Sequence, residues 1–319
     1  MALSDLQVFS EKLYGAYQEV LSYNVTGFNE ATQGGLVLTT GDMQGDFITD
    51  TLWTRIPNLV RRRNAYGTGT LTATKLGMKT TTKVKVAGGT NPVELDPGQF
   101  KWIRKSPEEA AAIMGRQLAE DSMAEMVGTA IKVYVAAVGA QATNLFDGTA
   151  GVASLGSFVS MAGKLGDRSE SINCWLMHSK SMFDIWGASL ANTAQLFNFG
   201  NIKVLTDGFG RPFVISDNPA LTYVSTGNKY RILGLTEGAV EIAENPDFTS
   251  AVVEGVGNEN LKRTFQAEWS YNVGIKGFTW DTVNGGASPS DAALATATNW
   301  DAVSYTHLRA HETRGNLVC

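Results

Sequence analysis

Cys174 and His178 are the first residues to weigh for chemistry, because a thiol and an imidazole this close could form a nucleophile–base pair. A working nucleophile also needs a group that orients the base and donors for a developing oxyanion, and no third member accompanies these two. They straddle the end of Ile172–Met177, a short apolar run that reads as a strand, and Ser179, where a helical pattern starts. Side chains across such a junction need not converge. A buried structural cysteine and a hydrogen-bonded turn histidine are expected. Asp207-Gly208-Phe209-Gly210 lacks the glycine spacing, the following helix and the Gly-Lys-Ser/Thr ending of a phosphate loop, so it reads as a turn between strands. Asp46, Asp50 and Asp147 could each contact calcium, but they lack EF-hand spacing. The sequence therefore predicts no catalytic residue, no cofactor and no metal.

The remaining clusters are charged. Lys75, Lys79, Lys83 and Lys85 lie in one Thr-rich stretch, Arg61-Arg62-Arg63 is the longest basic run, and Glu120, Asp121 and Glu125 form an acidic group further on. Salt bridges between subunits explain all three more simply than nucleic-acid binding does, since the net charge of the 319-residue chain is −5. The sequence predicts that the lysines and arginines meet the acidic group of a neighbouring copy.

Two segments are set aside before the fold is considered. The start, MALSDLQVFSEKLYG, has no apolar core of a secretory signal, and no window approaches the ~20 apolar residues of a membrane span. With Cys174 and Cys319 as its only cysteines, the chain has no disulfide framework, and it is expected to be made and assembled in a reducing cytoplasm. At the other end, VSYTHLRAHET at 303–313 resembles the translation of a transposon-library sequencing adapter. Residues 303–319 are therefore expected to be foreign, to pack on nothing, and to remove His307, His311 and Cys319 from consideration.

The elements follow from periodicity. Leu6, Phe9, Leu13, Tyr17 and Val20 step by three and four, which predicts a helix over 3–20. Gly27 to Gly45 reads as an extended arm, and Phe47 to Val60 as a short helix. Tyr66 to Val86 is Thr- and Val-rich strand chemistry, with a hairpin tip at Leu76-Gly77-Met78. Its few large apolar residues cannot hold such a ribbon on their own, so it should lie on a neighbour. Ser106-Pro107-Glu108-Glu109 is a capping box, and a proline-free run with Val127, Ile131, Tyr134, Val135 and Val138 on one stripe extends it to about Gly139. At 1.5 Å per residue that helix is ~50 Å long, against a usual 11–12 residues. It suits a structural spine. Short helices and strands then alternate from 150 to 240, an α+β pattern, and strands close the chain.

This order resembles that of the Hong Kong 97-type major capsid proteins of tailed bacteriophages, over roughly residues 1–285. WLMHSKSMFDIW (175–186), GRPFVISDNPAL (210–221), YRILGLTEGAVEIAEN (230–245) and KRTFQAEWSYNVGIKGFTWD (262–281) carry the local likeness. The resemblance implies a 1–65 N-terminal arm, a 66–97 extended β-hairpin loop, a 98–145 spine helix of a peripheral domain, a 146–250 axial domain, 251–285 return strands and a 286–302 strap. It implies a shell subunit that is not an enzyme. Its copies form hexamers and pentamers around double-stranded DNA, with a portal and, in some members, a decoration protein. Too few residues precede the hairpin for a built-in scaffolding domain, so a separate scaffolding protein is implied. Lys–Asn cross-links from the loop occur in a few members and are not expected here. An encapsulin-like bacterial compartment shell is the alternative within the fold, and a cytosolic hydrolase using Cys174 the alternative outside it.

Overall fold

A computed structural model describes residues 3–41, 45–53, 60–95, 106–191, 210–225, 227–257, 259, 261–303 and 317–318. In chain order it contains α1 (Leu3–Ala31), β1 (Leu36–Thr40), β2 (Phe47–Trp53), β3 (Met78–Gly89), β4 (Val93–Leu95), α2 (Pro107–Gly139), α3 (Leu155–Leu165), β5 (Ile172–Met177) and α4 (Ser179–Ala191). Then follow β6 (Phe213–Ile215), β7 (Thr222–Ser225), β8 (Gly227–Tyr230), β9 (Ile232–Thr236), β10 (Val240–Glu244), β11 (Thr249–Gly255), β12 (Lys262–Ile275), β13 (Phe278–Trp280), α5 (Asp291–Leu294), β14 (Trp300–Ala302) and β15 (Leu317–Val318).

Helix α2 has the bounds its capping signal dictates. The Ser106 hydroxyl accepts the Glu109 amide at 3.1 Å, and Pro107 opens the first turn, where its missing N–H costs nothing. Its first half presents Ala111, Gly115, Ala119 and Ser122 to α1. These small residues let the two helices approach until the Leu13 carbonyl occupies the space where a Cβ on Gly115 would stand. From α1 come Phe9, Leu13, Tyr17 and Leu21, a buried stripe at steps of four. The second half of α2 buries Met126, Ile131, Val133, Tyr134 and Val138 in the same core.

That core lies against a seven-stranded sheet ordered β1-β10-β12-β3-β2, with β11 and β4 flanking the first half of β12. All pairs are antiparallel except β1 with β10. The turn from α1 into β1 passes through Gln33 and Gly34, both at positive φ. Asn29 fixes it by bonding the backbone of Leu38 through both ends of its amide. A second sheet, β15-β9-β5-β6, has β5 at its heart, buried on both faces. Cys174 and Leu176 join the main core, while Ile172, Trp175 and Met177 join a smaller core with Phe158 and Met161 of α3 and Met182 and Ile185 of α4. The strap closes by Trp280 and Trp300, edge to face at 4.8 Å, and by Lys132 of α2 paired with Asp291 at 2.7 Å.

Several expectations are corrected. The first helix runs to Ala31, and β1 enters the sheet of its own subunit, so residues 3–40 are core and not a free arm. Phe47–Trp53 is a strand rather than a helix: it is rich in β-branched and aromatic residues, which favour strands, and it zips against Met78–Val84 of β3. The ribbon is therefore β2 with β3, and no turn occurs at Leu76-Gly77-Met78, where β3 is just beginning. Residues 60–77 contain no helix or strand. The element lying along α2 is α1, not the ribbon. The 146–250 unit ends sooner than expected, since β10 and β11 belong to the main sheet. Finally, packing continues past Ala302. Val303 is buried and its amide donates to Gly277 O, and Leu317–Val318 pair with Leu233 and Gly234. The outer edge of β9 offers backbone groups that an extended dipeptide can satisfy. The strand read at Lys203-Val204-Leu205 lies outside the described residues.

Candidate functional site

The residues expected to meet across subunits divide into two groups. Lys83 is internal. Its ammonium lies 2.7 Å from Glu241 Oε2 and 3.6 Å from Asp50 Oδ2, and its methylenes cover Gly274, where a Cβ would come within 2.8 Å of them. It ties β2, β3 and β10 together. Glu125 is engaged inside the subunit as well: it accepts the Tyr271 hydroxyl at 2.5 Å and that of Thr129 at 3.2 Å, joining α2 to β12. Burial, and then the Glu125 carboxylate, push the Tyr271 phenol far above its ordinary range. Lys79 and Lys85 are half-buried in β3, opposite Leu52 and Asn272.

The second group faces solvent. Arg61, Arg62, Arg63 and Lys75 sit in the exposed segment 60–76, which contains no carboxylate. Tyr66 and Leu71 are exposed in the same segment, and Trp53 and Met78 at the strand ends nearest it. Glu120 and Asp121 are exposed on α2. A bare cationic, partly apolar segment and a carboxylate-bearing helix face thus occur on one molecule without meeting. Alternation in Lys83-Val84-Lys85-Val86 correctly puts the two lysines opposite the buried valines. It could not reveal that Asp50 and Glu241, distant in sequence, take up Lys83.

The residues weighed for catalysis do not form a site. The Cys174 thiol is fully buried among main-core side chains beside Gly35, and burial pushes its pKa up to about 12. His178 lies past the end of β5, where its Nδ1 accepts the Lys180 amide at 3.0 Å and its ring rests on Tyr230. Asp50 is paired with Lys83, and Asp147 accepts the amide and hydroxyl of Thr149, bonds that hold its carboxyl below the usual range. Asp46 is exposed, and its carbonyl accepts the Lys85 amide. Asp207 to Phe209 lie outside the described residues. Among the described residues no three His, Cys, Asp or Glu side chains group as a metal site, and no helix is long and apolar enough to cross a membrane.

The sequence of the chain matches the family described as Gp13-like, major capsid protein 13-like, over residues 5–309. No curated protein matches it in sequence. Among solved structures, the capsid asymmetric unit of cyanophage Pam1 aligns over 73% of this chain and 81% of its own, with a TM-score of 0.51 at 11% identity. The capsid of Ralstonia phage GP4 aligns over 78% and 86% (TM-score 0.49, 10% identity). The mature capsid of bacteriophage PhiM1 aligns over 76% and 83% (0.49, 13%).

Proposed function

The chain belongs to the Gp13-like family of phage major capsid proteins, and from that premise we propose that its exposed cationic segment is the strap by which one subunit holds the next. The protein is the coat subunit of a tailed-phage head, with the Hong Kong 97-type capsid fold and a place in the virion shell. Neither the compartment shell nor the hydrolase is favoured. The subunit acts by assembling, as hexamers and pentamers around double-stranded DNA, and catalyses nothing. Its further partners are a separate scaffolding protein and a portal, joined in some members of the fold by a decoration protein.

The carrying observation is the segment 60–76 with Arg61, Arg62, Arg63 and Lys75, exposed along its length and poor in apolar contacts of its own. Ordering such a segment costs ~1–2 kcal/mol per residue, and little burial within the subunit offsets it. The surface it lacks is supplied by a neighbour whose α2 presents Glu120 and Asp121. A single exposed ion pair contributes only ~0.2–1 kcal/mol, but a closed shell repeats the contact at every subunit junction, so small terms decide whether it closes. Because exposed charges are screened beyond ~8–10 Å at physiological salt, assembly should weaken as salt rises.

Replacing Arg61, Arg62 and Arg63 together by Glu tests this reading. The subunit should unfold at the parent's temperature yet form no closed particles by electron microscopy, and adding Glu120→Arg and Asp121→Arg should restore some of them. Normal heads from the triple variant would refute it.

A further inference from the structure

His178 stands where a helix normally begins with Asn, Asp, Ser or Thr. Helix α4 starts at Ser179, so His178 is its N-cap, and Nδ1 accepts the amide of Lys180, the second helical residue, at 3.0 Å. Accepting that bond is the ordinary duty of an N-cap side chain. It demands a lone pair on Nδ1, and among N-capping acceptors the imidazole is the one that exchanges its lone pair for a proton near neutrality. The same nitrogen lies 3.6 Å from Asp217 Oδ1, which itself accepts the Ser179 amide at 3.1 Å. Two partners thus compete for Nδ1, one usable only without a proton and one only with it.

We propose that His178 is a proton-operated cap: neutral, it holds the first turn of α4; protonated, it turns to Asp217 and lets that turn go. The exchange consumes one solvent proton and breaks no covalent bond. The Nδ1 lone pair that accepted the Lys180 N–H becomes an N–H that donates to the Asp217 carboxylate. The new positive charge also lies at the positive end of the helix dipole, which further disfavours the capped form.

The surroundings permit it. The His178 side chain keeps 18% of its surface in solvent, so protons reach it. Asp217 is held below the usual carboxylate range by the Ser179 hydroxyl and amide, and stays ionised while imidazoles titrate. The other charged or titratable groups nearby are occupied. Lys180 pairs with Asp184 on α4, Lys229 bonds Thr149 O, Arg231 lies over Tyr223, and the Tyr230 ring of β8 lies against the imidazole at 4.8 Å, tilted by 45°. What moves is limited. Helix α4 rests on the smaller core through Met182 and Ile185, apart from the α1–α2 contact.

Amide hydrogen exchange on the full-length protein tests the proposal. Between pH 7.5 and 5.5, after correction for the intrinsic rate, protection at the start of α4 should fall about tenfold, the loss of one hydrogen bond of ordinary strength. Amides in the middle of α2 should not change. His178→Asn places a non-titrating acceptor where Nδ1 stands and should remain protected at both pH values. Asp217→Asn removes the charge that attracts the proton and should move the transition to lower pH. Protection in the wild type that ignores pH would overturn the proposal. So would a His178→Asn chain that loses protection as the wild type does, or an Asp217→Asn midpoint that does not move.

Discussion

The same substitution, Gly to Ala, should have opposite effects at two positions of the α1–α2 pair. Gly15 lies on the exposed side of α1 with nothing within 4 Å of an added Cβ. Alanine there only removes backbone freedom from the unfolded chain and improves helix propensity, a gain of ~0.5–1 kcal/mol. At Gly115 the same methyl would overlap the Leu13 carbonyl oxygen and stand 3.0 Å from Ala16 Cβ and 3.2 Å from the Tyr17 amide nitrogen. A relaxed C···O contact is ~3.3–3.6 Å, so the helices must separate by roughly 1 Å. The obstruction is backbone, which has no rotamer to change. A gap of that size forfeits about a quarter to a half of each dispersion contact it opens. Phe9, Leu13, Tyr17 and Leu21 all depend on this seam. Overpacking of this kind costs ~3 kcal/mol, against a propensity gain of ~1, leaving a net loss of ~2 kcal/mol. At roughly 2–4 °C per kcal/mol, Gly115→Ala should lower the melting temperature by about 4–8 °C, while Gly15→Ala raises it slightly. Thermal unfolding of the unassembled subunit, followed by far-ultraviolet circular dichroism, reads both. If Gly115→Ala were as stable as Gly15→Ala, the close helix contact would be wrong.

Three other outcomes are expected. Burial raises the Glu244 carboxyl above its ordinary value, so the protonated form favours the fold; that stability is complete below about pH 4.5 and is lost as pH rises through the folded value. Glu244→Gln, which can still accept the Tyr17 hydroxyl, should gain on the wild type in urea midpoint from pH 4.5 to 7; parallel curves would contradict this. Among the described residues, ending the chain after Val303 removes the two-residue β15, with a couple of hydrogen bonds of ~0.5–1.5 kcal/mol each to β9, and should shift the melting temperature by a few degrees; a larger loss would show that the segment is part of the core. Trp300→Ala empties the site beside Trp280 and Leu294 and should cost ~3–5 kcal/mol, read as a fall in the urea midpoint at unchanged slope.

Local signals in the sequence were enough for α2, α4, β5 and β12. A cap, a proline-free period and a run of β-branched and aromatic residues act within a few positions, and the structure places those elements close to where the residues put them. The order of elements carried the family likeness for the same reason. Cys174 was legible as buried and inert, because an apolar strand leaves a thiol no charged company. What the sequence could not decide was pairing. Phe47–Trp53 carries strand-forming residues, but that it zips against β3 is visible only in the structure. Gly115 reads as a weak point in a helix until α1 is laid across it. Lys83 and Glu125 looked like free charges for a neighbour, and they are taken up by Glu241 and Tyr271 from more than a hundred positions away. Such contacts depend on chain closure and packing over the whole core, and no window of residues contains them. The assignment of charges to the inside or the outside of the subunit was therefore settled by tertiary structure alone.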